Sequence, residues 1–384
     1  MAIKIGVIGY GQRGSHVMKR LMALDPVFEC AGIYDMYPEK IDKRDLANTV
    51  FHDTAESLLE ARLDAYIVAS YCNSHSEYAV KVMGQGAPLY LEKPVSVNDS
   101  DLQMLSEANK RYNADNIVVS FPLRHSPIVA WVKEIIGSGK IGSVDHVQAV
   151  NNVPYGRNYF SKWYRFDELA GGLFLQKATH DFDYINHVLN GVKPVDICAM
   201  ISKQYYKGDM PAGLKCSECD KSATCRESPE NVKKQSDDVV RGEYCVFASD
   251  CDNEDSGSAL VRYESGMHLS YSQNFIARKE AAARGARFIG YEGTVEFDFR
   301  TRTARLMMHH SGIAETKRFD IETGHGGGDA YLINNFADIA RNGAKSITPL
   351  DDGLLSALMC IRAKQSAENR VFTKIDYKNF LRQN

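Results

Sequence analysis

The sequence predicts an α/β protein with two domains, a doubly wound parallel sheet followed by an α+β domain with a large, mostly antiparallel open sheet. An apolar run at residues 3–8 ends in a glycine-rich turn that opens a helical pattern. Strand-like and helical segments then alternate at short spacing to residue 121, which is typical of a parallel sheet covered on both faces. Later strand-like runs meet at glycine turns, which favours antiparallel pairing. We therefore expect domains at residues 1–122 and 123–384.

The turn after the first strand contains the motif G-x-G-x-x-G, in the strand–turn–helix context that binds dinucleotides. Gly9 permits the tight turn, Gly11 lets the backbone approach a pyrophosphate, and Gly14 lets the helix pack close to the strand. The helix N-terminus then offers free N–H groups and a positive dipole end to the phosphates. The other residues of this predicted phosphate-binding loop are Tyr10, Gln12 and Arg13.

A second predicted strand, residues 28–34, ends at Asp35. A carboxylate at this position accepts hydrogen bonds from the ribose hydroxyls of NAD and repels the 2′-phosphate of NADP. Met36 and Tyr37 follow, with no adjacent arginine to bind that phosphate. The sequence therefore predicts NAD as the cofactor and NADP as the less favoured one.

Further strands are predicted at residues 64–70, 89–92 and 116–121, and ligands of such sheets bind beyond the carboxyl ends of the strands. Polar residues that follow these strands complete the predicted cofactor-contacting set, namely Ser70, Asn73, His75, Glu92 and Lys93. Lys93 lies between an acid and a proline, and near a cationic nicotinamide its pKa would fall, so that it could bind or deprotonate a substrate hydroxyl. Upstream, Asp53 and Glu56 are placed like a capping box for a short helix.

The second half of the chain changes pattern after Pro122. Helices are predicted at residues 128–137, 173–189, 329–342 and 351–368, the last within a C-terminal helix and tail at 351–384. Strands are predicted at residues 144–150 and in two hairpins, 259–264 with 267–274 and 287–291 with 294–299. Residues 203–256 are polar and cysteine-bearing, and we interpret them as a long insertion.

The predicted helix at residues 173–189 has an apolar stripe and a polar side. The polar side concentrates titratable groups around His180, whose residue type is well matched to proton transfer near neutral pH. A solvated helix face is the alternative interpretation. The polar side consists of Gln176, Lys177, His180, Asp183 and Tyr184.

Two further segments carry candidate substrate-binding residues. Tyr155, Tyr159, Trp163 and Tyr164 precede the His180 helix, and such aromatic side chains stack on the C–H face of a sugar or serve as core residues. His325 and Asp329 flank a glycine-rich loop that enters a helix. They are placed to reach substrate hydroxyls, or else form a hinge in which Asp329 caps the helix.

Three of the nine cysteines, Cys216, Cys219 and Cys225, are closely spaced within the insertion. With a fourth ligand from Cys245, Cys251 or a histidine they are weak candidates for a zinc site. The five-residue gap between the second and third cysteine favours free thiols, and disulfides would form in an oxidising compartment. We therefore predict no metal at the functional site.

Composition excludes several classes of partner. Of 384 residues, 44% are hydrophobic and 25% charged, as in ordinary globular proteins. The net charge of −3 gives no indication of a nucleic-acid or anionic-membrane partner. No apolar run approaches the ~20 residues of a membrane span, and the first residues are predicted to form a core strand without the h-region of a signal peptide. The sequence leads us to expect a cytoplasmic protein.

The motifs together resemble those of the Gfo/Idh/MocA oxidoreductases, the relatives of glucose–fructose oxidoreductase and inositol dehydrogenase. The shared segments are residues 9–14, Asp35, 73–77, 92–94, 138–142, 171–172, 180–183 and 325–329. The resemblance implies an N-terminal Rossmann domain that binds NAD or NADP, and a C-terminal domain whose open sheet commonly forms an oligomer interface. It also implies oxidation or reduction of a carbinol carbon of a sugar or cyclitol.

By the same resemblance, Lys93 matches the catalytic lysine, His180 the catalytic histidine, and Arg124 lies in a segment that crosses between domains beside the site. Several family dehydrogenases have an aspartate four residues before the histidine, where this chain has Gln176. A neutral amide cannot relay a proton, and the adjacent Lys177 is a candidate substitute.

Three functions follow from these observations. The first is an NAD-dependent oxidoreductase acting on a hydroxyl of a sugar, glycoside or cyclitol, assembled as a homodimer or homotetramer. The second is an NAD-dependent glycosidase or lyase that acts by transient oxidation and elimination. The third is a non-catalytic NAD-binding regulator, which retention of Lys93 and His180 disfavours. For the enzymes, we expect both side chains to converge on one hydroxyl.

Overall fold

The computed structural model describes residues 1–44, 46–235, 240–320 and 325–382, so that residues 236–239 of the predicted insertion and 383–384 of the tail lie outside the described residues. The chain forms two compact units, one of residues 1–126, 322–358 and 376–384 and one of residues 127–321 and 359–375. The first unit thus includes two C-terminal segments in addition to residues 1–122. The predicted division into domains at residue 122 stays a prediction.

Fifteen strands are present in the described part of the chain. In chain order they are β1 Ile3–Ile8, β2 Phe28–Tyr34, β3 Val50–Phe51, β4 Ala65–Val68, β5 Leu89–Leu91, β6 Ile117–Val119, β7 Val144–Asn152, β8 Pro194–Ser202, β9 Ser256–Tyr263, β10 His268–Asn274, β11 Ala283–Gly290, β12 Gly293–Asp298, β13 Thr303–Met308, β14 Ala314–Arg318 and β15 Thr373–Lys374.

The α-helices of the described residues vary from single turns to twenty residues. In chain order they are α1 Gln12–Leu24, α2 Ala55–Glu60, α3 His75–Met83, α4 Asp99–Tyr112, α5 Pro127–Gly137, α6 Arg157–Phe160, α7 Asp167–Ala170, α8 Thr179–Val188, α9 Pro229–Gln235, α10 Gly328–Asn342, α11 Leu350–Asn369 and α12 Tyr377–Phe380. A π-helical turn, Phe174–Ala178, directly precedes α8.

The first unit is built on a six-stranded sheet in the order β3-β2-β1-β4-β5-β6, and the paired strands are all parallel. The strand order reverses between β1 and β4, which places a crevice beyond the carboxyl ends of these strands. The loops that follow β1, β4 and β5 therefore meet at one edge of the sheet. These loops carry the predicted phosphate-binding loop, Ser70–His75 and Lys93.

Helix α10 completes the core of the first unit although it comes from the far end of the sequence. Leu332, Ile333 and Phe336 are buried against a cluster that includes Val7 of β1. The ring of Phe336 meets Tyr90 edge-on, with 5.8 Å between centroids. Burial of each such side chain contributes about 1.5–3 kcal/mol, so the N-terminal sheet depends on this helix.

The second unit contains a nine-stranded sheet in the order β14-β13-β12-β11-β7-β10-β9-β8-β15. β7 and β10 pair in parallel, and the other paired strands are antiparallel, which confirms the predicted fold class. Both predicted hairpins are present, β9 with β10 and β11 with β12. α8 covers one face, where the rings of Phe182 and Tyr271 lie 5.2 Å apart.

The opposite face of this sheet is mainly polar around a groove of about 600 Å³. The groove is lined by Gln148, Ala149, Val150, Ser270, Ser272, Gly285, Ala286, Arg287, Glu296, Phe297, Asp298, Thr301, Thr303, Arg305 and Thr316. Large apolar side chains are exposed on the neighbouring strands, with Met200 of β8 at 75% and Leu260 of β9 at 51% exposure.

The insertion after β8 packs partly into the second unit, since Tyr206, Val246 and Cys251 are buried with Phe160 and Phe275. All nine cysteines are free thiols. No three His, Cys, Asp or Glu side chains within residues 1–44, 46–235, 240–320 and 325–382 are arranged to hold a metal ion. The absence of a metal and the zinc alternative at residues 216–225 both stay predictions. No helix in the described part of the chain is long and apolar enough to cross a membrane.

Candidate functional site

The predicted phosphate-binding loop has the geometry that its glycines indicate. Gly9 has a φ of +85°, and a Cβ there would lie 2.6 Å from the backbone of Ala69 and Ser70. A Cβ at Gly14 would lie 2.1 Å from the carbonyl oxygen of Gly9. Gly9 and Gly14 therefore leave no room for a side chain. A Cβ at Gly11, in contrast, would meet no atom within 4 Å. The backbone at Gly11 is thus open to a phosphate.

The start of α1 is suited to an anion. Gly11 precedes the helix without a side-chain cap, and no acidic residue lies in the first turn. The N–H groups of this turn and the positive end of the helix dipole therefore point at the open side of Gly11.

Asp35 is held in place by backbone groups on both of its carboxylate oxygens. The N–H of Tyr10 donates to Oδ2 at 2.7 Å, and the N–H of Tyr37 donates to Oδ1 at 2.8 Å. Each oxygen retains a lone pair, so the oriented carboxylate can still accept hydrogen bonds from a ribose. A phosphate next to it would meet a fixed negative charge.

Lys93 is half-buried in a turn that is braced by His75. His75 is buried, its Nδ1 lies 2.7 Å from the carbonyl oxygen of Pro94, and its Nε2 lies 3.2 Å from that of Ser70. Burial lowers the pKa of His75, which keeps the ring neutral. The His75 ring thus fixes the Lys93–Pro94 backbone. Direct contact between His75 and a cofactor stays a prediction.

Arg13 connects the phosphate-binding loop to the Lys93 turn and to the first turn of α10. Its Nε donates to Oε1 of Glu92 at 2.9 Å. Its Nη2 donates to Oγ of Ser120 at 3.2 Å and to Oδ1 of Asp329 at 3.0 Å. Nδ1 of His325 lies 2.9 Å from Oδ2 of Asp329. Asp329 lies inside the first turn of α10, which begins after Gly327, so the predicted helix-capping role is wrong.

The electrostatics of this network keep both carboxylates ionised. Burial alone would raise the pKa of Glu92, but the charges of Arg13 and Lys93 outweigh burial and lower it. Burial likewise opposes ionisation of Asp329, and hydrogen bonding to His325 and the charge of Arg13 lower its pKa well below the usual range. Glu92 and Asp329 therefore both stay negatively charged next to Arg13 and the Lys93 turn.

The remaining candidate residues of the first unit are Arg124, Ser70 and Asn73. Arg124 is buried and its Nη1 donates to Oδ2 of Asp352 at 2.6 Å. Oγ of Ser70 lies 2.7 Å from Oγ of Ser74, and Asn73 is exposed. Substrate binding by Arg124 and cofactor binding by Ser70 and Asn73 stay predictions.

The polar side of the predicted helix at residues 173–189 is buried rather than solvated. Gln176, Lys177, His180 and Asp183 are all at most 6% exposed. The π-helical turn widens the backbone at the first two of these residues, and such turns recur at functional sites. The solvated-face interpretation is therefore wrong, because the segment is enclosed on all sides. Nε2 of Gln176 donates to the carbonyl oxygen of Ala170 at 2.8 Å.

Asp181 is the hub of a buried hydrogen-bond network, and it is not among the site residues that the sequence predicts. Its fully buried carboxylate accepts from Arg284 at 2.8 Å, Asn151 at 2.7 Å and Tyr271 at 2.9 Å. Burial and this carboxylate together raise the pKa of Tyr271 and Tyr184 well above the usual value. The only sequence signal is its place beside His180, since its partners lie on distant strands. The hub fixes the turn of α8 that carries His180.

Lys177 lies in an aromatic cage. Its Nζ donates to Oη of Tyr155 at 2.7 Å, and lies 4.5 Å from the ring centroid of Tyr155 and 5.0 Å from that of Tyr159. Two residues that the sequence marked separately, one catalytic and one substrate-binding, are therefore in direct contact.

Two family models match the chain over most of its length. Residues 3–120 match the oxidoreductase family with an NAD-binding Rossmann fold, and residues 129–296 match the Gfo/Idh/MocA C-terminal domain. The chain belongs to the Gfo/Idh/MocA oxidoreductase family. This assignment confirms the resemblance, the Rossmann fold and NAD as the cofactor.

Similar proteins include enzymes of sugar and cyclitol metabolism. The oxidoreductase YteT of Bacillus subtilis is 29% identical over 319 residues, which cover 73% of each chain. Myo-inositol 2-dehydrogenase of Thermotoga maritima is 28% identical over 194 residues, 49% of this chain and 55% of that protein. Levoglucosan dehydrogenase, solved with NADH and levoglucosan, has a TM-score of 0.76 at 17% identity, with 98% and 100% coverage, and shows the shared fold.

Within this Gfo/Idh/MocA protein, the residues present fit the cofactor. The open backbone at Gly11 and the uncapped start of α1 suit the pyrophosphate, and the Asp35 carboxylate suits the ribose. These features come from the described structure itself and agree with the family's cofactor.

Proposed function

We propose that this protein is an NAD-dependent oxidoreductase acting on a hydroxyl of a sugar, glycoside or cyclitol. The observation that carries the proposal is the 2.9 Å ion pair between Arg13 of the phosphate-binding loop and Glu92, which directly precedes Lys93. This pair ties the half-buried lysine to the loop suited to the cofactor. A titratable group fixed there is suited to proton transfer on a hydroxyl.

The chain's own residues would hold the cofactor through the N-terminus of α1 and the Asp35 carboxylate. Bound NAD supplies a hydride acceptor. Lys93 and His180 are the proposed residues that hold the reacting hydroxyl and take part in its deprotonation. The Asp181 hub and the His75 brace keep these two side chains on rigid backbone.

The substrate class is supported by the relatives. The names of two of them refer to a cyclitol, myo-inositol, and to an anhydro sugar, levoglucosan. Both are polyols in which a secondary carbinol is the oxidisable group, and we propose such a compound as the substrate here.

The test is turnover of NAD with a panel of cyclitols, aldoses and aryl glycosides, each deuterated at one carbinol carbon. The expected result is NADH that carries deuterium from one position of one class of compound. NAD binding without turnover of any panel member would instead support a non-catalytic regulator and overturn the proposal.

A second candidate is a glycosidase or lyase that oxidises its substrate transiently. The specific observation is Gln176, a buried neutral amide at the position where several family dehydrogenases carry an aspartate. Such an enzyme would release the aglycone of an aryl glycoside and return the hydride, with no net NADH. The same panel therefore separates the two enzymes.

We also propose a homodimer or homotetramer formed through the open face of the nine-stranded sheet. The support is the groove of about 600 Å³ on that face and the exposed side chains of Met200 and Leu260 beside it. Light scattering at micromolar concentration is expected to give at least twice the monomer mass, and Met200→Lys to weaken the assembly. A monomer would refute this.

A further inference from the structure

The contact between Lys177 and Tyr155 has features of a proton-transfer pair. The lysine is buried, at 6% exposure, and its ammonium donates to the phenol oxygen at 2.7 Å. Tyr155 is 41% exposed. The lysine is therefore shielded from solvent and ligands, whereas the tyrosine that it contacts is accessible to both.

The charge state of the lysine decides which partner can accept a proton. Burial alone would lower the pKa of Lys177, but electrostatic interaction with Tyr155 and Tyr159 and the hydrogen bond to Tyr155 outweigh burial and raise it. Lys177 is thus an ammonium at neutral pH. An ammonium donates hydrogen bonds and cannot act as a base, which excludes it as a direct substitute for the aspartate missing at residue 176.

The two tyrosines of the cage differ in solvation. Tyr159 is half-buried and less exposed than Tyr155, and burial raises its pKa to about 12 despite the nearby ammonium, so it stays a neutral phenol. Tyr155 is partly exposed and loses less hydration on ionising, while it receives the same positive charge through a direct hydrogen bond. An ammonium that donates to a phenol oxygen favours its ionised form.

The other charged group that faces Lys177 is Arg284. The guanidinium of Arg284 forms an ion pair with the Asp181 carboxylate at 2.8 Å, and this carboxylate offsets most of the positive charge locally. The field at the Tyr155 hydroxyl is therefore positive and is dominated by the lysine that touches it.

We propose that Tyr155 accepts the proton of the substrate hydroxyl, and that Lys177 is the positioning residue that orients and polarises the Tyr155 oxygen. This inference rests on the proposed function for its substrate. Tyr155 starts the step as the phenolate that the Lys177 ammonium favours; the O–H bond of the substrate breaks, and its proton goes to the Tyr155 oxygen to give a neutral phenol. The C–H bond breaks with its electron pair, which passes as hydride to NAD, and a carbonyl forms. The proton then leaves Tyr155 for water, since this side chain is the exposed member of the pair.

The first experiment needs neither cofactor nor substrate. Protein labelled with carbon-13 at the tyrosine Cζ is titrated by nuclear magnetic resonance, and the Tyr155 resonance is assigned as the one missing in Tyr155→Phe. It is expected to titrate at lower pH in the wild type than in Lys177→Met. Tyr205 is the matched control, because it is 42% exposed and its pKa is raised by burial and Glu227. A Tyr155 resonance that titrates with Tyr205, or that ignores Lys177→Met, overturns the proposal.

The second experiment measures turnover once a substrate is found. Tyr155→Phe keeps the ring over Lys177 and removes only the hydroxyl. It is expected to lower kcat by about 10²–10⁴ with little change in KM and to flatten the pH profile of kcat. Tyr205→Phe is expected to keep the wild-type value. An undiminished kcat in Tyr155→Phe contradicts the role of Tyr155 as proton acceptor and leaves the proposed function intact. A wild type without turnover contradicts the proposed function, and the titration then still tests whether Lys177 acts on Tyr155.

Discussion

Lys93 and Lys177 are two candidate catalytic lysines whose surroundings differ in kind. Lys93 is half-buried and follows Glu92, whose carboxylate is bound by Arg13 at 2.9 Å. Lys177 is buried between aromatic rings and donates to Tyr155 at 2.7 Å. The first lysine is positioned by charged groups next to its own backbone, and the second by apolar ring faces that remove it from water.

This difference follows from the elements that carry the two residues. The carboxyl ends of parallel strands meet at one edge, so a lysine after β5 necessarily lies beside the loops after β1 and β4. Lys177 lies on a helical segment covered on all sides, where a charge is tolerated only with partners that compensate its lost hydration. We therefore expect Lys93 to act on ligands directly and Lys177 to act through its partner.

The largest effect is expected from Lys93→Met, which removes a group that we propose contacts the reacting hydroxyl. Turnover should fall by about 10²–10⁴, while the affinity for NAD, measured by calorimetry, should change little because the residue 9–14 loop and Asp35 carry it. Lys81→Met, at an exposed ion pair with Glu56, is the control and should leave both unchanged. A Lys93→Met protein with full turnover would remove Lys93 from the mechanism.

The next largest effect concerns the buried charges of the second unit. Asp181→Ala leaves Arg284 buried without its carboxylate and should lower the free energy of unfolding by about 3–5 kcal/mol. The matched control is Asp196→Ala, which breaks the exposed pair with Arg262 and should cost about 0–1 kcal/mol. Denaturant unfolding measures both, and equal losses would mean that the hub carries no special stability.

The charged network around Lys93 should make stability depend on pH. The pKa values of Glu92 and Asp329 are lowered in the folded protein, so their contribution is present above the ordinary carboxyl range and is lost as pH falls through the folded-state pKa. Arg13→Met should remove about 1–3 kcal/mol at neutral pH and progressively less in acid. Arg44→Met, at a fully exposed pair with Asp42, should have no measurable effect. A loss independent of pH would assign Arg13 a packing role only.

The preference for NAD over NADP tests the role of Asp35, whose carboxylate is oriented by the backbone N–H groups of Tyr10 and Tyr37. The wild type is expected to bind NAD more tightly than NADP, because Asp35 repels the 2′-phosphate. Asp35→Ser should narrow the gap by roughly tenfold, which is about 1.4 kcal/mol. Calorimetric titration with both cofactors measures this, and tighter binding of NADP by the wild type would contradict the assignment of Asp35.

The sequence predicts structure well where the determinants are local. The glycine loop, Asp35 and the residues after β4 and β5 each follow a buried apolar strand, and their placement needs only the rules of parallel sheets. The sequence does not predict β14, because all its residues are exposed and it shows no apolar alternation. The Lys177 cage and the Asp181 hub depend on residues up to 103 positions apart, and no local pattern encodes such contacts.

The smallest expected effect tests a local prediction that was wrong. The sequence places Asp53 and Glu56 as a capping box, but the residue before α2 is Thr54, whose Oγ1 accepts from the N–H of Ser57 at 3.1 Å. Thr54→Ala should therefore lower the free energy of unfolding by about 0.5–2 kcal/mol, and Asp53→Ala should leave it unchanged. Thermal or denaturant unfolding of the two variants decides between the two caps. A larger loss in Asp53→Ala than in Thr54→Ala would make Asp53 the cap of α2. Truncation lowers the free energy of unfolding only at the residue whose side chain accepts from a free helix N–H group.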